Sequence, residues 1–184
     1  MISKCNPALM MVLLLLTSVV GARQGDERLE PLFDTLLSAA SFEQAHSAAR
    51  QIWGIWHESG DEEVDKLLLR GIMAMNSGRY DIALAFFDKV IDTDPEFAEG
   101  WNKRATVHWL MSNHDESMAD IQRTLALEPR HFGAVSGMGL IFMERGDADG
   151  ALRAFEQVLR IHPQDPGALQ RVEELRQRVG QDPV

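Results

Sequence analysis

The 184-residue chain is long enough for one ordinary domain with a real core, and its 45% apolar residues and 7 prolines argue against a disordered chain. Its formal net charge of -10 argues against binding to nucleic acid or docking on anionic lipid, because both need clustered Lys and Arg.

The first 22 residues predict a targeting segment that is not part of the fold. Lys4 is the only charged residue among them, and it precedes a 13-residue apolar run over 8–20. This run is shorter than the roughly 20 residues of a membrane-spanning helix. Val20 and Ala22 supply small residues before a cleavage site. We therefore expect a cleaved signal peptide over 1–22 and an exported, periplasmic protein. The alternative is an inner-membrane anchor formed by residues 8–20.

Cysteine usage agrees with export. Cleavage after Ala22 would remove Cys5, the only cysteine of the chain. The remaining protein would have no disulfide, thiolate nucleophile or thiolate metal site. A chain without cysteine suits an oxidising compartment outside the cytoplasm.

From residue 64 to residue 165 the chain repeats itself every 34 residues, in rows that begin at Val64, Ala98 and Phe132. Seven columns of these rows agree in size or chemistry. They are position 4 (Leu67, Trp101, Val135), position 8 (Gly71, Ala105, Gly139), position 15 (Gly78, Ser112, Gly146), position 18 (Asp81, Asp115, Asp149), position 20 (Ala83, Ser117, Ala151), position 24 (Phe87, Ile121, Phe155) and position 32 (Pro95, Pro129, Pro163).

Each column has a physical reason. Small residues at positions 8 and 20 let two helix backbones approach closely, and bulky residues at positions 4 and 24 fill the space beside that contact. Gly or Ser at position 15 suits a tight turn, Asp at position 18 favours the start of a second helix, and Pro at position 32 ends that helix. Each row therefore predicts a helix–turn–helix hairpin. The predicted helices cover 64–76, 80–92, 98–110, 114–126, 132–144 and 148–160.

These columns resemble the tetratricopeptide repeat (TPR), and the match covers 102 of the 184 residues. It is strong in the first and third rows, whereas Ser117 and Ile121 of the middle row depart from the pattern but stay small and apolar. The resemblance implies an all-α fold, a right-handed solenoid of helix–turn–helix hairpins whose first helices line a concave groove. In this family the groove usually binds peptides or partner proteins. A signal peptide before a short acidic array is similar to small exported bacterial proteins of the family.

The expected organisation is a signal peptide, a hairpin, three repeats and a cap. The repeats are TPR 1 over 64–97, TPR 2 over 98–131 and TPR 3 over 132–165, and a capping helix follows over 166–179. Residues 26–61 predict an N-terminal degenerate TPR-like helical hairpin or cap, because a row begun at Asp26 places the bulky Phe33 at position 8.

The resemblance also implies which residues face a partner, because positions 2, 5, 9, 12 and 13 of the first helices line the groove in this family. The candidate partner-binding residues are Leu68, Ile72, Met75, Asn76, Asn102, Lys103, Thr106, Trp109, Ser136, Leu140 and Met143. Trp109, in the central row, is the expected anchor, since tryptophan is enriched among residues that dominate binding energy. The apolar members of this set form a strip: Leu68, Ile72, Met75, Trp109, Leu140 and Met143. The alternative is that the protein covers part of this apolar strip itself, with its N-terminal helices or with a second copy.

One subtype of the family is not expected. Its chaperone-binding members carry a clamp of Lys, Asn and Arg that holds the C-terminal carboxylates of a partner. The matching places here are Leu68, Ile72, Lys103, Gly133 and Gly137. Lys103 is the only cation among them, and one cation does not make a clamp for two carboxylates.

No catalytic, cofactor or metal site is expected. The six histidines form no HExxH pair, and the glycines follow the repeat register, which argues against a phosphate loop. We expect a non-enzymatic scaffold or adaptor of the cell envelope with a protein or peptide partner, no nucleic acid and no small-molecule substrate. The alternative is a self-assembling homo-oligomer that buries the apolar strip together with Trp53 and Trp56, which share one helical face.

Overall fold

The computed structural model describes residues 26–179, and this part of the chain folds into nine α-helices without a strand. The helices are α1 (Leu29–Ser38), α2 (Phe42–Trp56), α3 (Glu62–Asn76), α4 (Tyr80–Thr93), α5 (Ala98–Leu110), α6 (His114–Leu127), α7 (Phe132–Glu144), α8 (Ala148–Ile161) and α9 (Pro166–Val179). None of them combines the length and the apolarity that crossing a membrane requires. The expected signal peptide over 1–22 and the alternative anchor over 8–20 lie outside the described residues.

Six of these helices form three stacked hairpins, α3–α4, α5–α6 and α7–α8, and each second helix also packs on the next first helix. The observed helix bounds agree with the sequence prediction to within two residues. The all-α repeat solenoid predicted from the columns is confirmed.

The column at position 8 packs against the column at position 24, as expected. A methyl group added at Gly139 would lie 2.8 Å from Cζ of Phe155, and one added at Gly71 would clash with the ring of Phe87. In the middle repeat Ala105 and Ile121 lie together in one buried cluster. In the first and third repeats, glycine therefore faces an aromatic ring. In the middle repeat the larger Ala105 is matched by Ile121, which is smaller than phenylalanine.

In the three stacked hairpins the turn between the two helices needs a left-handed residue. Position 15 has φ +70° at Gly78, +62° at Ser112 and +75° at Gly146. Glycine adopts this conformation without a steric penalty, and Ser112 is the only non-glycine residue of the described chain with a positive φ.

The N-terminal hairpin α1–α2 does not pack in the way that its place in the chain suggests. Phe33 and Ile52 are buried in the same cluster as Phe132, Val158 and Val172, which belong to the third hairpin and to α9. Helix α1 contacts α8, and the Gln164 amide donates a 2.6 Å hydrogen bond to the carbonyl of Ala39. The hairpin before the first repeat is thus anchored on the last repeat.

Candidate partner-binding groove

The three first helices α3, α5 and α7 lie side by side, because α5 contacts both of the others. Between α5 and α7 lies a cavity of about 170 Å³. Its lining consists of Asn102, Ala105, Thr106, Trp109, Ser117, Ile121, Gly133, Ala134, Ser136, Gly137 and Leu140. Larger depressions lie elsewhere, along α8 and α9, but charged and amide side chains such as Arg153, Glu156 and Glu173 contribute much of their lining.

The sequence explains why the cavity lies beside α7. At row positions 2 and 6, α7 carries Gly133 and Gly137, whereas α5 carries Glu99 and Lys103. The missing side chain at Gly137 leaves space that the half-buried side chains of Trp109 and Leu140 border, whereas Trp53 of α2 fills the space beside Gly133.

The structure brings together about half of the predicted groove residues. Five of them line the cavity: Asn102, Thr106, Trp109, Ser136 and Leu140. Four others lie outside the cavity lining: Ile72 and Met75 are half-buried against the core of the first hairpin, Asn76 is exposed at the end of α3, and Met143 contacts the guanidinium of Arg171 on α9.

Leu68 differs from the expectation. It is 2% exposed and belongs to the buried cluster of the first hairpin, where it packs with Val64 and Phe87. Its side chain has no surface for a partner to contact. The apolar strip is therefore interrupted at its N-terminal end.

Sequence reasoning missed a buried charged cluster at the edge of the groove. Glu99 is a buried residue, 1% exposed, and its carboxylate is contacted by four groups. These are Lys103 Nζ at 2.8 Å, Asn102 Nδ2 at 2.9 Å, His131 Nε2 at 3.0 Å and His57 Nε2 at 3.2 Å. The spacing of Glu99 and Lys103 on one helix was the available signal, but their burial depends on α2.

The cluster keeps Glu99 charged although it is buried. Burial alone raises the pKa of a carboxyl group. Here the attraction of the Lys103 ammonium and the hydrogen bonds from His131 and His57 outweigh burial, so the pKa of Glu99 lies well below its usual value. The carboxylate is a fixed negative charge that holds groups of α5 and α7 to the end of α2.

His131 has a defined tautomer in this cluster. Its Nδ1 accepts a 3.1 Å hydrogen bond from the backbone N–H of Ala134 and caps α7. An acceptor nitrogen carries no proton, so the hydrogen-bond network assigns the ring proton to Nε2, which donates to Glu99. The indole of Trp56 stacks on this ring, with centroids 4.1 Å apart and planes 11° apart.

Helix α2 covers one end of the groove. Trp53 lies so close to α7 that a methyl group added at Gly133 would come within 2.5 Å of its Cη2. The Lys103 ammonium lies 5.0 Å from the centroid of a Trp53 ring. The face that carries Trp53 and Trp56 is therefore packed inside the protein, and the alternative homo-oligomer loses this surface. The protein covers its own groove at Lys103 and Gly133, beside the cavity bordered by Trp109 and Leu140.

A metal site and a carboxylate clamp both depend on how acidic and basic side chains are placed. Among residues 26–179 no group of three or more His, Cys, Asp and Glu side chains is placed to hold a metal ion. Lys103, the single cation at the clamp positions, is already paired with Glu99.

These features define an all-α helical-repeat protein with a concave groove. The chain belongs to the tetratricopeptide repeat family. The sequence profile of that repeat matches residues 68–123 and 103–166, which together span more than half of the chain. TPR domains are protein–protein interaction modules.

Known proteins agree with this assignment. A TPR repeat-containing protein of Rhizobium etli is 37% identical over 153 residues, which cover 83% of this chain and 75% of that protein. The first TPR of Spaghetti (RPAP3) bound to the HSP90 peptide SRMEEVD superimposes with a TM-score of 0.62 at 21% identity, over 66% of this chain and 97% of that one. MamA superimposes with a TM-score of 0.60 at 23% identity, over 76% of this chain and 79% of that one. At these identities the two structures show a shared fold.

Proposed function

We propose that the protein is a non-enzymatic scaffold of the cell envelope that binds a segment of a partner protein in its concave groove. The cavity between α5 and α7 carries this proposal, because it receives one apolar side chain of the bound segment. Its volume of about 170 Å³ lies below the roughly 300–1,000 Å³ of small-molecule sites. A single side chain of a peptide suits this volume better than a substrate or a cofactor does.

Trp109 is the expected anchor of the bound segment. It lies in the central repeat and lines the cavity together with Leu140. A half-buried tryptophan offers a large apolar contact area with little conformational entropy to lose, and such residues often dominate binding energy. The small residues Ser136 and Gly137 on the opposite wall leave room for the side chain of the partner.

The charges of the groove favour an internal segment over a chain end. Lys103 is neutralised by Glu99, and no other cation stands at the clamp positions. A partner's terminal carboxylate would therefore find no unpaired cation there. The first TPR of Spaghetti (RPAP3), which was solved with an HSP90 peptide, shares only the fold with this chain. For the groove described here we propose apolar contacts with the partner.

Photo-crosslinking locates the bound segment. A photoreactive side chain placed at Leu140, in the cavity, is expected to capture a partner in the native compartment, and the same group placed at the exposed Arg153 on α8 is the control. The capture at Leu140 should disappear when Trp109 is also changed to Ala. Equal capture at both positions would place the functional surface outside the groove.

Calorimetry with the captured segment then measures the anchor. Trp109→Ala is expected to weaken binding at least tenfold, which corresponds to about 1.4 kcal/mol. Ile82→Ala is the matched control, because Ile82 is an apolar residue of α4 that is 44% exposed and does not line the cavity. Circular dichroism checks that both variants fold. A folded Trp109→Ala variant with unchanged affinity would refute the proposed groove.

The location at the envelope rests on residues 1–25 alone, which lie outside the described residues. Lys4, the apolar run over 8–20 and the small residues Val20 and Ala22 support export with cleavage after Ala22. N-terminal sequencing of the protein recovered from its own compartment is expected to begin at Arg23. A chain that keeps Met1 or Lys4 would support an inner-membrane anchor instead.

A further inference from the structure

Arg171 of α9 differs from the other half-buried cations of the described chain. Five Lys and Arg residues there are half-buried. Four of them pair with carboxylates: Lys103 with Glu99, Arg104 with Asp120, Arg123 with Glu96 and Arg130 with Glu30. Arg171, the fifth, has no ion-pair partner within residues 26–179.

The guanidinium of Arg171 rests on a sulfur atom and a ring instead. One of its N–H groups donates to Sδ of Met143 at 3.4 Å, and its Cζ lies 5.5 Å from the ring centroid of Phe155. A thioether is a weak acceptor, and a ring face attracts a cation without pairing its N–H groups. These contacts hold the guanidinium in place and leave most of its donors without an acceptor in the described chain.

Neighbouring carboxylates of the chain have other partners. Glu174, one turn further along α9, accepts a 2.8 Å hydrogen bond from the amide of Gln170. Glu144, at the end of α7, lies 2.6 Å from Nε2 of His114. A chain with a net charge of -10 thus leaves a positioned cation unpaired. Charge complementarity indicates that a partner supplies the anion.

Arg171 continues the groove beyond the cavity. A row begun at Pro166 places it at position 6, which is the position of Gly137 beside the cavity. Its contact Met143 follows Leu140, which lines the cavity, by three residues on α7. Residues at this spacing have Cβ atoms roughly 5–6 Å apart, so the guanidinium lies roughly 10 Å from the cavity.

We propose that Arg171 binds the carboxylate of an Asp or Glu side chain of the partner segment whose apolar side chain enters the cavity. This inference rests on the proposed function and specifies the chemistry of the partner. An extended chain advances roughly 3.3 Å per residue, so the acidic residue stands about two to four positions from the apolar one. A single cation suits one side-chain carboxylate of an internal segment, because it does not make a clamp for two carboxylates.

Peptides displayed on phage test this chemistry with the full chain. Each peptide is joined to the coat protein at its C-terminal end, so it presents no terminal carboxylate. The unmodified protein is expected to enrich peptides that carry an apolar residue and, at the stated spacing, Asp or Glu. Arg171→Gln should enrich the same apolar residue without the acidic one. Arg153→Gln is the matched control, because it removes an exposed cation of α8 that does not line the cavity, and it should enrich the same peptides as the unmodified protein.

Calorimetry with an enriched peptide, amidated at its C-terminal end, measures the contact. Arg171→Gln and replacement of the acidic residue of the peptide by its amide should each weaken binding about tenfold. Both changes together should weaken it little further, because they remove the same ion pair. Arg171→Lys should keep part of the affinity, since the charge remains but the paired N–H geometry is lost. Circular dichroism checks that the variants fold.

The outcomes separate this inference from the proposed function. Enriched peptides that share an apolar residue but no acidic one would overturn the role of Arg171 and leave the groove intact. Loss of the acidic preference in Arg153→Gln as well would mean that the acid responds to overall charge and not to Arg171. Peptides without a shared apolar residue, or an unchanged set with Trp109→Ala, would refute the groove and this inference with it.

Discussion

Helices α5 and α7 occupy the same place in successive repeats but present opposite chemistry to the groove. At row positions 2 and 6, α5 carries Glu99 and Lys103, and α7 carries Gly133 and Gly137. On α5 the carboxylate of Glu99 is buried and contacts Lys103 and two histidines. On α7 the missing side chains admit Trp53 at Gly133 and leave the cavity beside Gly137. Among the three repeats the packing columns keep similar residues, whereas the groove positions beside them differ.

The largest effect is expected when Glu99 of α5 loses its charge. Glu99→Gln should lower the free energy of unfolding by about 3 kcal/mol or more, because Lys103 loses its buried partner. Urea unfolding followed by circular dichroism measures this change. Glu63→Gln is the control, since that carboxylate pairs with Lys66 at the exposed surface of α3. Similar midpoints for the two variants would mean that the Glu99 cluster does not hold α2 to the array.

Acid should remove part of the same stabilisation. The pKa of Glu99 is lowered on folding, so its contribution is complete above the unfolded value near 4.5 and is lost as the pH falls through the lower folded value. The difference in urea midpoint between the unmodified protein and Glu99→Gln is therefore expected to shrink in acid below about pH 4.5. A difference that grows in acid would contradict the assignment of a charged Glu99.

Two glycines of α7, Gly133 and Gly137, are expected to change the stability of the protein in different ways when each is replaced by alanine. Ala in place of Gly gains about 1 kcal/mol in a helix interior. At Gly133 a methyl group meets Trp53 at 2.5 Å, and overpacking of this kind costs roughly 1–3 kcal/mol. At Gly137 the nearest atom is the flexible Cδ1 of Ile121 at 3.3 Å.

Gly133→Ala should therefore destabilise the protein, and Gly137→Ala should be neutral or stabilising. Urea midpoints measured under one condition decide this. If both variants gain stability equally, Trp53 does not rest on α7 in solution.

The smallest effect is expected at the rim of the N-terminal hairpin. Glu30 pairs with Arg130 at 2.7 Å, but both side chains are in contact with water and salt screens them. Glu30→Gln should leave the urea midpoint nearly unchanged. Arg130→Ala should change it more, because the guanidinium also lies 4.0 Å from the ring centroid of Phe33. A larger effect of Glu30→Gln would show that the hairpin is held by its surface charges.

The columns of the sequence predicted what local packing controls. Helix bounds, the left-handed turn residues and the contact of Gly139 with Phe155 all follow from the 34-residue register. Five of the eleven predicted groove residues line the cavity because the same register orients them. The prediction for Leu68 differs from the structure, because its side chain packs in the core of the first hairpin. The other residues at row position 5, Asn102 and Ser136, give no sign of this burial.

By itself the sequence determined the repeat fold, because each repeat contacts mainly its neighbours and its packing positions recur at a fixed spacing. Only the tertiary structure decided where the N-terminal hairpin lies. That placement brings together residues that are far apart in the chain: His57 contacts Glu99, and Trp56 stacks on His131. The 34-residue repeat could not predict these contacts, because they do not recur from one repeat to the next. The buried carboxylate and the covered end of the groove both follow from that one non-local contact.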